Sequence, residues 1–308
     1  MRRLLLLSTL LAAACYAVAG GLTSVDGLET RAFDPPASGR MEPRGAVIVR
    51  LSDDLFGGFS GFVLDGTRLT AVSDKGGWGN MTLRFDGGRL ADVEAASVRW
   101  MTDAAGLSAE DHRWDPEGLA RLPDGRLLVS FEQDHRLQVF DSDVAPAGPE
   151  YRDPSWEEFD GNSGLEGLAV DADGVVWAIL EQTEEGDDPF PVFVGPVAGP
   201  WEAKRLPRRG DYLPTGADFG PDGWLYVTER DFGVFSGFAT RVRRFRWGAG
   251  PDPVAEEELG DFPSSAGLDN VEGIAVWRSE AGETMILLLS DDNYAAIEDT
   301  VLSLFVLR

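Results

Sequence analysis

Five times along the chain an apolar run turns at a polar pair and runs back. The stretches are "SGFVLDGTRLTAVSDKG" (60–76), "EGLARLPDGRLLVSFEQD" (117–134), "EGLAVDADGVVWAILEQ" (166–182), "TGADFGPDGWLYVTERD" (215–231) and "EGIAVWRSEAGETMILLLSDDN" (272–293). Asp-Gly between apolar runs predicts a hairpin, because glycine reaches φ > 0 at little cost. The first four units turn at Asp65-Gly66, Asp124-Gly125, Asp173-Gly174 and Asp222-Gly223, and the fifth has a longer turn. Read as two-residue loops, these turns set Glu117 opposite Glu132 and Glu166 opposite Glu181. A glycine bulge would shift that pairing by about a residue.

The glycines that open the units, Gly61, Gly118, Gly167, Gly216 and Gly273, are spaced 57, 49, 49 and 57 residues apart. A period near 50 built of short strands predicts a β-propeller. Third strands are expected over 81–87, 135–141, 191–195, 240–247 and 301–307, and fourth strands over 94–100, 149–153, 201–206 and 254–260. The fifth unit ends without a fourth strand. "AVIVRLS" (46–52) supplies it, which closes the ring and removes an exposed sheet edge. The expected fold is all-β: one propeller of four-stranded blades over 46–308, five by count, six if a divergent unit is present. Residues 20–45 read as an extended lead-in.

The N-terminus, "MRRLLLLSTLLAAACYAVAGG", has a basic start, an apolar stretch and an Ala17-Val18-Ala19 cleavage site. Residues 1–19 are therefore expected to be a signal peptide, giving a periplasmic or secreted protein. The apolar run is shorter than the ~20 residues a membrane span takes, and no other run is long enough. The one cysteine, Cys15, lies in "LAAAC", a weak lipoprotein box, so lipid anchoring is the second reading. A mature chain without cysteine gains its stability from packing and closure.

The 53 acidic and 27 basic residues give −26, or −28 after cleavage. Such a charge repels nucleic acid and anionic membranes and attracts cations. Much of it is expected at one place. In a propeller blade the start of the first strand and the end of the second lie on one face. Glu117, Glu132, Glu166, Glu181, Glu272, Asp291 and Asp292 then gather at one mouth of the channel, with Asp74 and Glu229. Lys75 and Arg230 join them, and His112 and His135 lie in loops on that face. Carboxylates this close repel unless a cation or a proton intervenes. Hard oxygen donors without cysteine suit Ca²⁺ or Mg²⁺. The other reading is that the glutamates accept backbone N–H bonds from neighbouring blades.

No Gly-x-Ser-x-Gly elbow followed by a helix is present, which speaks against a serine hydrolase. "DADGVVWAILE" reads as a hairpin rather than a calcium-binding helix-loop-helix. Trp177 and Trp224 are expected in the core between blades, and Trp78, in "DKGGWGN", beside a ligand.

The stretches "FGGFSGFVLDGTRLTAVSDKG", "DPEGLARLPDGRLLVS", "GLEGLAVDADGVVWAILEQ", "PTGADFGPDGWLYVTERD", "RVRRF" and "NVEGIAV…LLLSDDN…LSLFVL" resemble, in order from about Phe56 to Arg308, the phytase-like domain family of "esterase-like activity of phytase" proteins. The resemblance implies a protein exported by bacteria. The family's name likens it to β-propeller phytases, which are six-bladed, calcium-dependent phosphomonoesterases with an acidic metal face. No local motif matches theirs closely enough to carry over a catalytic residue. The expected function is a Ca²⁺-dependent phosphoesterase acting on a small phosphorylated molecule. In that reading Lys75, Arg230 and Trp78 bind substrate, and His135 or His112 protonates the leaving oxygen. The alternatives are a non-catalytic binding propeller of the cell envelope with structural calcium, and sugar or lactone chemistry at the same mouth.

Overall fold

The computed structural model describes residues 27–108, 113–158, 164–181, 188–233, 237–295 and 298–308. The expected signal peptide, Cys15 and His112 lie outside these residues. The chain enters through β1 (Leu28–Phe33) and β2 (Met41–Leu51). Blade one follows as β3 (Phe59–Asp65), β4 (Arg68–Ser73), β5 (Gly77–Asp86) and β6 (Arg89–Trp100). Blade two is β7 (Pro116–Arg121), β8 (Leu127–Phe131), β9 (Arg136–Phe140) and β10 (Ala147–Tyr151). Blade three is β11 (Gly167–Val170), β12 (Val176–Ile179), β13 (Phe190–Gly195) and β14 (Glu202–Leu206). Blade four is β15 (Leu213–Phe219), β16 (Leu225–Gly233), β17 (Gly237–Trp247) and β18 (Pro253–Phe262).

Blade five is β19 (Asn270–Arg278), β20 (Thr284–Asp291) and β21 (Thr300–Leu307), completed by β2 and then β1. The ring therefore has five blades and closes with Val47 opposite Leu302. The lead-in is more ordered than its sequence suggests: β1 pairs with β2 along its whole length and adds a fifth strand. Its side chains are mostly exposed, so backbone pairing rather than apolar burial holds it, and hydrophobic patterning has nothing to detect. No described helix is long and apolar enough to cross a membrane.

The inner strands β3, β7, β11, β15 and β19 contact one another in closed order around the axis. Between blades the core is apolar and aromatic. The seam of blades one and two packs Val72 and Trp78 against Leu119, Val129, Phe131 and Phe140. Trp177 meets Phe219 and Trp247 across the seam of blades three and four. Ring centroids 5.1–5.6 Å apart are within the range of favourable aromatic pairs.

The inner hairpins differ from the expected register, with consequences for the site. In blades two to five the loop has three residues, closed by bonds such as Leu122 N to Arg126 O at 2.8 Å, and its glycine is left-handed (Gly125 φ 90°, Gly174 81°, Gly223 74°, Gly282 79°). The fifth loop thus matches the others although its sequence lacks Asp-Gly. A second irregularity lies at the other end of the hairpin: a bulge falls between Phe59 and Gly61, Pro116 and Gly118, Pro214 and Gly216, and Val271 and Gly273. The unpaired residues are Ser60, Glu117, Thr215 and Glu272. A bulge re-aims the side chain of its extra residue, so Glu117 does not face Glu132 across a ladder.

The glycines that follow are dictated by crowding at the axis. A Cβ on Gly118 would lie 2.6 Å from Leu168 Cβ and 3.0 Å from Glu166 O of the next blade. At this waist, between Gly61, Gly118, Gly216 and Gly273, the channel narrows to a void of about 10 Å³, which scarcely admits one water. The acidic mouth is thereby closed off from a cavity of about 290 Å³ at the opposite face, walled by Leu64, Leu168, Ile274 and Trp277 around Asp218.

Candidate functional site: an acidic ring at the channel mouth

Three elements deliver the densest part of the ring. Asp115 precedes β7, Glu117 is the bulged residue within it, and Glu132 follows β8, its amide bonded to Asp115 O at 2.8 Å. One carboxylate oxygen from each comes within 4.8 Å of the others. Gly164 of the next blade leaves the room they need. A Cβ there would lie 2.8 Å from Glu166 Oε1, 3.1 Å from Glu117 Cγ and 3.5 Å from Glu132 Cβ.

Burial and mutual repulsion hold protons on these groups. Burial pushes Asp115 up to about 6. Glu132 is raised to about 7 by burial and then by Asp115 and Glu181, against the pull of a hydrogen bond from the Gln133 side chain. Glu117 is raised well above the usual range by burial, Glu166, Asp115 and Glu132. Glu166 is raised in the same way, by burial first and then by Glu181 and Glu272. Asp291 rises to about 7 through burial, with Asp292 adding and Arg230 opposing. Asp74 rises to about 7 through burial, Asp291 and Asp115. Its Oδ1 is buried without a hydrogen-bond partner among the described residues.

The other side of the ring is answered by an arginine. Arg230 donates to Glu272, to Asn270 Oδ1 at 3.0 Å and to Glu181 Oε1 at 3.3 Å. Even so, burial leaves Glu272 at about 8 and Glu181 above its ordinary value. Arg230 is therefore engaged with the protein and is not free as an anion clamp. Blade seams are laced by hydroxyls more than by glutamates: Gly118 N donates to Ser130 Oγ (2.8 Å), which donates to Leu165 O (2.7 Å), and Thr215 Oγ1 donates to Val271 O (2.9 Å).

Several expected site residues are placed elsewhere. Glu229 is fully buried within blade four, its carboxylate accepting from Arg241 Nε at 2.7 Å and Arg243 Nε at 2.8 Å, so it is not a metal ligand. Asp292 spends its oxygens on Gly58 N, Tyr294 N and Thr300 Oγ1, each at 3.0 Å, joining blade five to blade one. Trp78 belongs to β5 and is 1% exposed, edge-on to Phe140 at 5.2 Å, which removes it from ligand contact. Lys75 Nζ stands 3.1 Å from the centre of the Tyr294 ring. His135 is half-buried in the β8–β9 turn, where its carbonyl accepts from Arg152 at 3.3 Å.

Asp115 and Gly164 are the participants that pattern reading passed over. Both stand three residues before a unit-opening glycine, the position that Asn270 occupies in blade five. A comparison of units at that offset would have found them.

A family model described as Phytase-like, esterase-like activity of phytase, matches residues 54–294. The chain belongs to the phytase-like family. Comparison with curated protein sequences returns no match. Among solved structures, the phytase-like chain is similar to a luciferin-regenerating enzyme, at 10% identity and a TM-score of 0.50, over 82% of this chain and 94% of that one. It is also similar to an exo-β-1,3-galactanase from Clostridium thermocellum, at 10% identity and a TM-score of 0.51, over 82% of this chain and 59% of that one. At these identities the likeness is one of fold alone.

Proposed function

We propose that this phytase-like propeller is an exported, Ca²⁺-dependent ester hydrolase, with phosphate esters as its substrate class. The observation that carries the reading is the Asp115–Glu117–Glu132 cluster, whose oxygens approach within 4.8 Å. Among the described residues no arginine or lysine pairs with these three, whereas Arg230 serves Glu272 and Glu181. Three hard oxygens around one point, short of a compensating charge, fit a calcium ion. When bound, the ion would supply electrophilic stabilisation of the ester oxygens and a more acidic water.

The chain's own residues do the rest. Asp115, Glu117 and Glu132 hold the cation, and Gly164 keeps space beside them. Arg230 fixes Glu272 and Glu181 in place and so shapes the rim. A proton donor for the leaving oxygen should titrate near the working pH, and Asp74, held at about 7, meets that condition. His135 on the same face is the competing donor.

The deciding experiment assays p-nitrophenyl phosphate, p-nitrophenyl acetate and phytate with Ca²⁺ or with EDTA, on the native chain and on Asp115→Asn, Asp74→Asn and His135→Asn. Turnover that needs Ca²⁺ and is lost in Asp115→Asn supports the reading. Between Asp74→Asn and His135→Asn, the variant that loses the alkaline limb of the pH profile identifies the donor. Calcium that raises the melting temperature without turnover of any ester replaces the reading with a non-catalytic binding propeller.

A further inference from the structure

β16 does not stop at the rim. It continues past Arg230 through Asp231, Phe232 and Gly233, and β17 returns from Gly237 with Phe238 opposite Phe232. Residues two apart on a strand share a face, as do directly opposed residues. Arg230, Phe232 and Phe238 therefore occupy one face of this hairpin, the face that carries Arg230 into the acidic ring.

The two phenyl rings are 4.8 Å apart with planes inclined by 42°. Phe232 is 58% exposed, and the Arg230 guanidinium lies 6.0 Å from the Phe238 ring centre. With Leu213, Asp211 and Asp231, these residues wall a recess of about 440 Å³. That is the size of a small-molecule site, and exposed aromatic surface beside a cleft marks binding. Arg230 belongs to both the recess and the ring, so an occupant of the recess abuts the carboxylates.

The lining limits what the occupant is. Among the described residues Asp211 is not paired with a lysine or arginine, and ionised it offers only hydrogen-bond acceptors. Asp231 alternates with Arg230 and Phe232 and turns its carboxylate to the other face, toward Tyr212. A phosphate or carboxylate placed here meets like charge. A plain alkyl or aryl group offers the Asp211 carboxylate no donor. A ring with a C–H face and hydroxyls at its edge satisfies the phenyl groups and the Asp211 carboxylate together.

We infer that the recess between Phe232, Phe238 and Asp211 holds a neutral, polyhydroxylated ring of the substrate, sugar- or cyclitol-like, with its ester bond directed to the acidic ring. The fate of that bond rests on the hydrolase reading; the binding of the ring does not.

The test has two arms on the Ca²⁺-loaded full chain. In the first, methyl glucoside is titrated by ligand-observed NMR. Binding is expected, weakened about tenfold by Phe232→Ala or Phe238→Ala and largely kept by Phe232→Tyr. Phe232 is exposed, so its truncation leaves the fold intact. In the second arm, kcat/KM is measured for glucose 1-phosphate, ethyl phosphate and phytate. The alanine variants should lose about tenfold on glucose 1-phosphate and little on ethyl phosphate, with phytate the poorest of the three. Absence of glucoside binding, or equal binding by the alanine variants, overturns the ring site whatever is turned over. Glucoside binding without hydrolysis of any ester upholds the ring site and removes the hydrolase reading.

Discussion

Arg230 of blade four donates to Glu272 of blade five across the seam that separates them. The same guanidinium reaches Glu181 of blade three, so one cation ties three blades at the channel mouth and answers part of a ring of like charges. Truncation to Met leaves Glu272 and Glu181 buried without their partner, and removing one side of a buried pair costs about 3 kcal/mol. The expected loss for Arg230→Met, read by urea unfolding, is larger at pH 8 than at pH 5.5. At the lower pH Glu272, already held at about 8 with the arginine present, stays protonated and carries no unanswered charge. A loss of equal size at both pH values would show that Arg230 acts through packing alone.

The ring also sets how stability depends on pH. Asp74, Asp291 and Asp218 rise to about 7 in the folded protein, each mainly through burial, and Glu272 to about 8. The folded state therefore binds protons more tightly than the unfolded chain, whose carboxyls titrate near 4. This contribution is fully present below about pH 4 and is lost as pH rises through 7 to 8. In EDTA the melting temperature should fall from pH 5 to pH 8.5. Calcium should flatten that decline by answering the charge on the mouth, though not at Asp218, which lies at the other end of the channel. A melting temperature that rises over this range in EDTA contradicts the proton-holding ring.

Calcium titration separates the ligands from their look-alikes. Asp115→Asn and Glu132→Gln should each weaken Ca²⁺ binding by about tenfold or more, since affinity follows the number of charged donors. Protons compete for the same oxygens, so affinity should increase as pH rises through 6 to 7. Glu229→Gln should leave affinity unchanged and instead destabilise the fold by about 3 kcal/mol, because Arg241 and Arg243 lose their shared carboxylate. Loss of calcium binding in Glu229→Gln alone would reverse this assignment.

Two glycines predict different costs for one change. Gly118→Ala pushes a methyl group to 2.6 Å from Leu168 Cβ and toward the backbone of blade three, an overpacking of about 1–3 kcal/mol. Gly125→Ala meets nothing within 4 Å and is penalised only by its φ of +90°, about 1 kcal/mol. Thermal unfolding of the two variants checks the order.

The mature chain purified from a bacterial envelope fraction should begin at Gly20, by N-terminal sequencing. A fatty-acylated N-terminus at Cys15 would instead make it a lipoprotein.

The sequence by itself determined the five inner hairpins, their blade order and the strand at 46–52 that closes the ring. Period-2 apolar runs, turn glycines and a repeat near 50 residues are local signals, and they survive in every unit. It also placed Glu117, Glu132, Glu166, Glu181, Glu272 and Asp291 on one mouth, because strand direction alternates within a blade. Tertiary structure decided which of these carboxylates share a point in space. A three-residue loop in blades two to five and a bulge in every blade but the third shifted the hairpins by about one residue, and in a strand one residue changes the face. Glu229 alternates with Arg230 on β16 and so turns to Arg241 and Arg243, partners 12 and 14 residues away, while Asp115 and Gly164 enter the cluster. How the charge is answered was also beyond the sequence. One part of the ring is neutralised by Arg230 from a neighbouring blade, and the Asp115–Glu117–Glu132 part is left to protons or a cation. That division depends on distances of a few ångströms between blades, where Coulomb energy is steep and residue spacing carries no information.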